Sequence, residues 1–178
     1  MAGPVVAAAV ILPRRVKGEW VKQVRDSKQL TPAVRESLYP IIRAAALSVG
    51  IGFINHEIID YVNILTATRL AIKMAVEELR PDSEYLLIDY LVVPEVFKPQ
   101  KGVPDGDSLC FSIACASIVA KVARDRLMDE LDAAYPGYGL AQHKGYCTGE
   151  HKACLEKLGP SGIHRRSWQP VQDRDDEP

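Results

Sequence analysis

The sequence predicts one α/β domain built on a mixed β-sheet. Short apolar runs, typical of buried strands, alternate along the chain with longer segments whose apolar residues recur at helical spacing. The 178 residues suffice for one domain with a substantial core but not for two of ordinary size. The apolar fraction of 47% and the charged fraction of 25% are ordinary for a globular protein. We therefore expect a single domain over residues 1–171, followed by a charged, disordered tail at 172–178.

Composition and charge exclude several other classes of protein. No apolar run reaches the length of about 20 residues that a membrane helix needs. Positive charges follow the first apolar run, whereas in a signal peptide they precede it. The net charge of −1 gives no general attraction to nucleic acid, so such binding would depend on local basic patches. The four cysteines show no Cys-x-x-Cys spacing, which predicts free thiols and a cytoplasmic location.

The first half of the chain is predicted to alternate between strands and helices. A strand at residues 5–12 is apolar on both faces and ends at Pro13. Thr31 as N-cap and Pro32 at the first helical position begin a helix that runs to about Ala45. A glycine-containing strand and two helical segments complete this half, at residues 48–54, 57–62 and 64–79.

The second half contains the most informative stretch of the sequence. A turn at Pro104–Gly106 is predicted to lead into one long helix that continues to Met128. An apolar strand that ends at Asp89 and a loop at 92–103 precede this turn. A short helix is predicted at about 149–158. The order strand, loop and helix places the end of the strand and the start of the long helix at the same edge of the sheet.

Two aspartates are the candidate catalytic residues. Asp89 follows a buried strand at the carboxyl end of the sheet, where α/β folds bind ligands. Asp107 stands with Ser108 at the start of the long helix, where its carboxylate is either an N-cap or a ligand that the helix dipole keeps ionised. If the two carboxylates converge, they form a minimal site for a hard cation such as Mg²⁺ or Mn²⁺.

Basic and aromatic residues are concentrated in the last third of the chain. Two interpretations remain open: a solvated, partly packed surface, or a nucleic-acid surface with charges for phosphates and rings for sugars or bases. The residues concerned are His143, Lys144, Tyr146, His164, Arg165, Arg166 and Trp168.

These residues, in this order, resemble ribonuclease HII. The resemblance runs from Gly3 to about Val171, and it is specific because several independent blocks occur in the right order. The blocks are Ala2–Val10, Asp26–Leu30, Leu87–Asp89, Gly106–Ser108 leading into Ser112–Asp125, His143–Tyr146 and His164–Ser167.

The resemblance implies an RNase H-like fold, in which a mixed sheet is flanked by helices and followed by a helical C-terminal region. It implies an endoribonuclease that degrades the RNA strand of RNA–DNA hybrids and nicks DNA at single embedded ribonucleotides by metal-assisted hydrolysis with Mn²⁺ or Mg²⁺. Asp89 and Asp107 match two of the four catalytic carboxylates of the family. We expect a monomer that has no membrane association.

The resemblance also implies roles in nucleic-acid binding. Tyr146 matches the tyrosine that packs on the deoxyribose after the ribonucleotide and so helps to read the RNA–DNA junction. Lys28, Lys144 and Arg165 are candidate phosphate contacts.

The chain departs from the family pattern at its start. Family members carry a strand with an Asp-Glu pair and a Gly-Arg-Gly loop just before the block that opens this sequence. We therefore expect this first central strand and two of the four carboxylates to be missing from the 178 residues, and little nuclease activity from the chain as written. Smaller departures are Tyr90, where a glycine is usual, and Leu109, where a lysine is common.

Two other functions are possible on sequence grounds. The first is a catalytically inert relative that only binds duplex nucleic acid through its C-terminal third. The second, independent of the family, is a receiver-like domain with Asp89 as phosphoacceptor, although the early acidic pair and strand-end lysine that such a site needs are not visible.

Overall fold

The structure is a computed structural model that describes the backbone of residues 1–175 and the side chains of residues 1–172. Its strands are β1 Val5–Ile11, β2 Ser48–Ile54, β3 Leu86–Asp89 and β4 Gln100–Val103. Its helices are α1 Pro32–Ala45, α2 His56–Val62, α3 Ile64–Glu77, α4 Gly106–Leu109, α5 Phe111–Ala134, α6 Leu140–His143, α7 Gly149–Leu158 and α8 Gln169–Asp175. Short 3₁₀ turns occur at Glu19–Gln23 and Ser27–Gln29. This order of elements confirms the predicted α/β class.

The chain divides into two compact units. The first, called the sheet unit below, comprises Val6–Phe53 and Thr68–Val122. The second, called the helical unit, comprises Met1–Val5, Ile54–Ala67 and Ala123–Pro178. The single domain over residues 1–171 stays a prediction.

In the sheet unit, the described strands pair two by two. β1 pairs with β2, and β3 pairs with β4. The β3–β4 pair is parallel, with Leu86 opposite Gln100 and Asp89 opposite Val103. Since β4 lies within the predicted loop at 92–103, the sequence interpretation missed it. Its residues lack the apolar alternation of a half-buried strand, and its position depends on hydrogen bonds that β3 and the loop supply.

The glutamine at the start of β4 organises the loop between the two strands. The side chain of Gln100 donates to the carbonyl oxygens of Val93 at 2.9 Å and Val96 at 3.0 Å, and it accepts from the Val93 amide at 2.7 Å. Three hydrogen bonds from one amide side chain replace backbone pairing that an irregular loop cannot make. The loop thereby holds a fixed shape directly after Asp89.

Two apolar clusters fill the sheet unit. One lies between α1 and α5 and contains Leu38, Ile42 and Ile118 at its centre. The other packs Val76 of α3 against Leu86 and Ile88 of β3. The N-cap prediction for α1 is confirmed, because Thr31 Oγ1 accepts from the Val34 amide at 3.4 Å.

The helical unit is built around the N-terminal residues. Ala2 is fully buried and forms an isolated antiparallel bridge with His164. It packs in a cluster with Met128 and Leu140. The Gly3 amide donates to Ile163 O at 2.9 Å, so the segment before β1 is fixed by backbone contacts within this unit.

Two helical predictions need correction. The predicted long helix is interrupted, because Cys110 adopts an extended conformation (φ −125°, ψ 117°) between α4 and α5. Residues 172–175 of the tail that was predicted to be disordered belong to α8, so their backbone is helical. Val171, just before them, packs into the core, and its amide donates to Trp168 O. Residues 176–178 of that tail lie outside the described part. Within the described residues, no helix combines the length and the apolar character required to cross a membrane.

Candidate functional site

Asp89 lies at the carboxyl end of β3 and is held by the turn that begins α4. The Gly106 amide donates to Asp89 Oδ1 at 2.9 Å. A Cβ atom at Gly106 would lie 2.8 Å from Ile113 Cδ1 and 3.2 Å from Asp89 Oδ1. A side chain therefore does not fit at position 106 without moving its neighbours, and glycine brings the backbone donor close to the carboxylate.

Asp107 is the second residue of α4 and is only 7% exposed. Burial raises the pKa of its carboxyl group, and the neighbouring carboxylates of Asp89 and Asp26 raise it further, whereas the Lys28 ammonium lowers it. The geometry agrees with this, because Asp89 Oδ1 accepts from the amide of Gly106, the residue directly before Asp107. The fold therefore places the two aspartates near each other, while their shared role in a site stays a prediction. The alternative of Asp107 as N-cap is wrong, because Asp105 occupies that position of α4.

Lys28 belongs to the same cluster. Its Nζ lies 3.7 Å from Asp107 Oδ2, while its side chain is largely exposed. Asp26 caps the 3₁₀ turn that carries the lysine, accepting from the Lys28 amide at 2.9 Å. Sequence reasoning missed Asp26 as a third carboxylate of this cluster. Its position as first residue of the Asp26–Leu30 block was the available signal, but an aspartate before a turn is ordinarily a cap.

Buried polar contacts fix the turn that presents Lys28. Ser27 is buried, and its Oγ lies 2.7 Å from Ser117 Oγ on α5. The Arg35 guanidinium, itself 7% exposed, donates to the carbonyl oxygens of Ser27 at 2.9 Å and Leu30 at 2.6 Å. One planar cation thereby holds both ends of the turn.

A residue beside the carboxylates adopts a strained backbone. Tyr90 has φ 59° and is 74% exposed. A bulky side chain rarely occupies this left-handed region, which glycine adopts at little cost. The conformation accounts for the glycine that is usual at this position in the family, and nothing in the structure explains the tyrosine of this chain.

The donor set suits a hard divalent cation. Within residues 1–172, no group of three or more His, Cys, Asp or Glu side chains is arranged to hold a metal ion. Two aspartate carboxylates are nevertheless oxygen ligands of the type that Mg²⁺ and Mn²⁺ prefer. Their mutual repulsion, visible in the raised pKa of Asp107, is the electrostatic condition that a bound cation relieves. The role of Asp89 and Asp107 as metal ligands stays a prediction.

Tyr146 lies in the helical unit and is 54% exposed. Its amide donates to His143 O at 2.9 Å, and its carbonyl accepts from His151 Nδ1 at 2.9 Å. The preceding residues Lys144 and Gly145 both have positive φ, at 51° and 73°. The turn therefore fixes the backbone of Tyr146 while part of its side chain remains open to solvent.

Lys144 and Arg165 are the two predicted phosphate contacts in this unit, and both contact groups of the protein itself. Lys144 Nζ forms an ion pair with Asp129 and donates to Asp125 O at 3.3 Å. Arg165 is 7% exposed and donates from Nε to Gly3 O at 3.0 Å. Burial lowers the pKa of the Arg165 guanidinium to about 10. The phosphate role of both residues stays a prediction, and the burial of Arg165 does not support it.

Two histidines of this unit, His151 and His164, form a buried, neutral, hydrogen-bonded pair. The Ser161 amide donates to His164 Nδ1 at 3.0 Å, so the proton of the His164 ring is on Nε2, which faces His151 Nε2 at 3.1 Å. His151 in turn donates from Nδ1 to Tyr146 O. Burial is the main cause that lowers the pKa of each of these two histidines to about 4. They support the backbone of Tyr146 as uncharged groups.

Comparison with known proteins shows which family the sequence matches. The family model described as Ribonuclease HII matches residues 1–171. A ribonuclease HII from Dehalococcoides mccartyi is 58% identical over 172 residues, which cover 97% of this chain and 81% of that protein.

Two solved structures support the fold. The crystal structure of the ribonuclease H2 from Pyrococcus horikoshii OT3 matches with a TM-score of 0.78 and 24% identity, covering 98% of this chain and 91% of that chain. The crystal structure of Bst-RNase HIII in complex with Mn²⁺ matches with a TM-score of 0.69 and 16% identity, covering 97% of this chain and 64% of that one. At these identities the likeness shows the RNase H-like fold alone. The match over residues 1–171 and the 58% identity show that the chain belongs to the ribonuclease HII family.

Proposed function

We propose that this chain is an endoribonuclease that cuts the RNA strand of RNA–DNA hybrids and nicks DNA at single embedded ribonucleotides. The observation that carries the proposal is the hydrogen bond from the Gly106 amide to Asp89 at the end of β3, which places Asp107, the next residue, beside Asp89. Membership of the ribonuclease HII family supports the same reaction. Family membership leaves the inert duplex binder without support, and it contradicts the receiver-like alternative.

Asp89 and Asp107 are the proposed ligands of a divalent cation, Mn²⁺ or Mg²⁺. When bound, such a cation activates water and stabilises charge on the phosphate oxygens. The protein's own contribution is to orient the ligands. The Gly106 amide fixes one oxygen of Asp89, and the Lys28 ammonium lies against Asp107, where it offsets part of the repulsion between the carboxylates. Lys28 is exposed enough to contact a phosphate of the substrate as well.

Tyr146 is the proposed reader of the RNA–DNA junction. Its fixed backbone and half-exposed ring suit packing on a sugar, since a ring held in place loses little conformational entropy on binding. Lys144 would contribute positive charge near the nucleic-acid backbone. The protein is further proposed to act as a cytoplasmic monomer, in keeping with cysteines that are all free within the described residues.

Replacement of Asp89 tests the proposal. In a form of the protein extended upstream by the Asp-Glu strand of the family, Asp89→Asn removes a charge that a cation needs, so nicking of a duplex with one embedded ribonucleotide should fall by at least about 100-fold. Duplex affinity, measured by fluorescence anisotropy, should change little because phosphate contacts hold the nucleic acid. Asp105→Asn is the matched control. This exposed residue lies two positions before Asp107 at φ 51°, where asparagine is well tolerated. Full turnover by the Asp89 variant would remove this residue from the catalytic site.

A further inference from the structure

We infer that Arg124 is a positioning residue for Tyr146 and that its guanidinium sets how well the protein distinguishes a ribonucleotide junction from plain DNA. The inference rests on the proposed function, because it deepens the role given there to Tyr146. Arg124 lies on α5 within the helical unit.

The position of the Arg124 guanidinium is fixed by two backbone carbonyls. Nε donates to Pro4 O at 3.2 Å, and Nη1 donates to Lys144 O at 2.9 Å. The two acceptors belong to chain segments 140 residues apart, so the guanidinium joins the N-terminal segment to the turn that carries Tyr146. A planar group with donors on two sides makes both contacts at once, which a lysine ammonium on its flexible stem does not reproduce.

The same guanidinium lies over the aromatic ring. Arg124 Cζ is 5.1 Å from the centroid of the Tyr146 ring, within the range of a cation–π interaction. Because its hydrogen bonds hold the cation in place, the interaction favours one orientation of the ring. The contact is therefore a support for the ring and not a chance approach of two mobile side chains.

The backbone of Tyr146 is already held by hydrogen bonds, so only the side-chain torsions remain to be restricted. Its amide and its carbonyl are both hydrogen-bonded, to His143 O and from His151 Nδ1. The turn before it packs closely on the N-terminal segment, since a Cβ atom at Gly145 would lie 2.5 Å from Ala2 O. Arg124 thus completes a set of contacts that fixes the residue from its backbone to its ring.

Ring placement matters for discrimination more than for affinity. Phosphate contacts act on any duplex, whereas packing of a ring on one sugar depends on where the ring stands. A ring that rotates freely would lose entropy on binding and would pack equally on poorly placed sugars. We therefore expect loss of the guanidinium to reduce the preference between substrates while leaving general duplex binding largely intact.

The test measures binding preference in the Asp89→Asn background, so that no substrate is cut. The quantity is the ratio of the dissociation constants for an all-DNA duplex and for the same duplex with one ribonucleotide. Arg124→Lys keeps the charge and removes the planar contact, and it should lower this ratio about two- to five-fold. Arg126→Lys, an exposed arginine two positions along α5, is the matched control and should leave the ratio unchanged.

A double variant separates positioning from other roles. If Arg124 acts through the ring, Arg124→Lys combined with Tyr146→Ala should show the same ratio as Tyr146→Ala alone. Additive losses in the double variant would overturn the inference, as would equal weakening of both duplexes by Arg124→Lys. Partial unfolding lowers the active fraction for both duplexes alike, so the ratio reports on the contact itself. An unchanged ratio in Tyr146→Ala would also overturn the inference. The proposed reaction is tested separately, because loss of nicking by Asp89→Asn would support it whatever the ratio shows.

Discussion

The neutral histidine pair of the helical unit predicts that the protein loses stability in mild acid. His151 and His164 are 0% and 1% exposed, and each has a pKa near 4 instead of the ordinary 6.5, mainly because of burial. Protonation would put hydrogens on both facing Nε2 atoms, which now lie 3.1 Å apart as a donor and an acceptor. The folded state therefore resists protonation, whereas the unfolded chain does not.

The sign and the size of this change in the free energy of unfolding follow from proton linkage. Between pH 6.5 and pH 4 the unfolded chain binds more protons than the folded one, so the free energy of unfolding falls as the pH falls. From pH 7 to pH 5 the full shifts correspond to about 2 kcal/mol for each histidine. Because the two rings contact each other, their titrations interact and the two contributions do not add in full, so we expect a loss of at least about 2 kcal/mol for the pair. The α-amino group of Met1, whose pKa burial lowers from 8.0 to about 5, adds a loss of the same sign in this window, whereas the raised pKa of Asp107 opposes it.

Urea unfolding at pH 7 and pH 5 measures this loss. His164→Gln places an amide donor near the position of Nε2 and removes one titrating group, so the free energy of unfolding should depend less on pH in this variant than in the wild type. His56→Gln in α2 is the control for loss of a histidine outside the pair. Equal stability of the wild type at both pH values would refute the reasoning, and so would a His164 variant whose dependence matches the wild type.

Three further predictions concern the candidate site and its supports. Tyr146→Ala should reduce nicking beside single ribonucleotides about 5-fold or more relative to cleavage within long RNA stretches, with Tyr61→Ala, an exposed tyrosine of the same unit, as control. Arg35→Met should lower the free energy of unfolding by about 2–4 kcal/mol in urea titrations, because two buried carbonyls lose a charged donor. Gly106→Ala should slow nicking with normal duplex affinity, since its Cβ would displace Asp89; unchanged turnover would contradict that geometry.

Much of the fold follows from local sequence signals. The helix α1 begins where a threonine cap and a proline predict it, because both residues act on their own backbone neighbours. The strand β2 and the helix α7 have the predicted bounds, Ser48–Ile54 and Gly149–Leu158. The position of Asp89 at the end of β3 was also predictable from the apolar run before it, but the prediction that this strand is buried on both faces was wrong, because Leu87 is 46% exposed.

What the sequence did not reveal depends on contacts between distant segments. Asp26 approaches Asp107 only because Ser27 meets Ser117 across 90 positions of sequence. Arg165 resembled a phosphate contact in the sequence, but its guanidinium is buried against the Gly3 carbonyl, 162 positions away. A single sequence shows that a residue is charged, whereas the direction of a long side chain is decided by which acceptors the fold brings near it.

The polar side chains around Asp89 and those around Tyr146 differ in whether their charges have partners within the protein. This difference distinguishes groups that can bind a ligand from groups that support the fold. In the sheet unit, the Asp89 carboxylate helps to raise the pKa of Asp107, whereas the nearby ammonium of Lys28 lowers it. A cation bound there would relieve the repulsion between the carboxylates. In the helical unit, Arg124 donates to backbone carbonyls, and the buried histidines are neutral and paired with each other. These groups have their partners within the protein, so they hold the shape that presents Tyr146. We therefore expect a cation to bind at the carboxylate cluster, whereas the helical unit supports Tyr146.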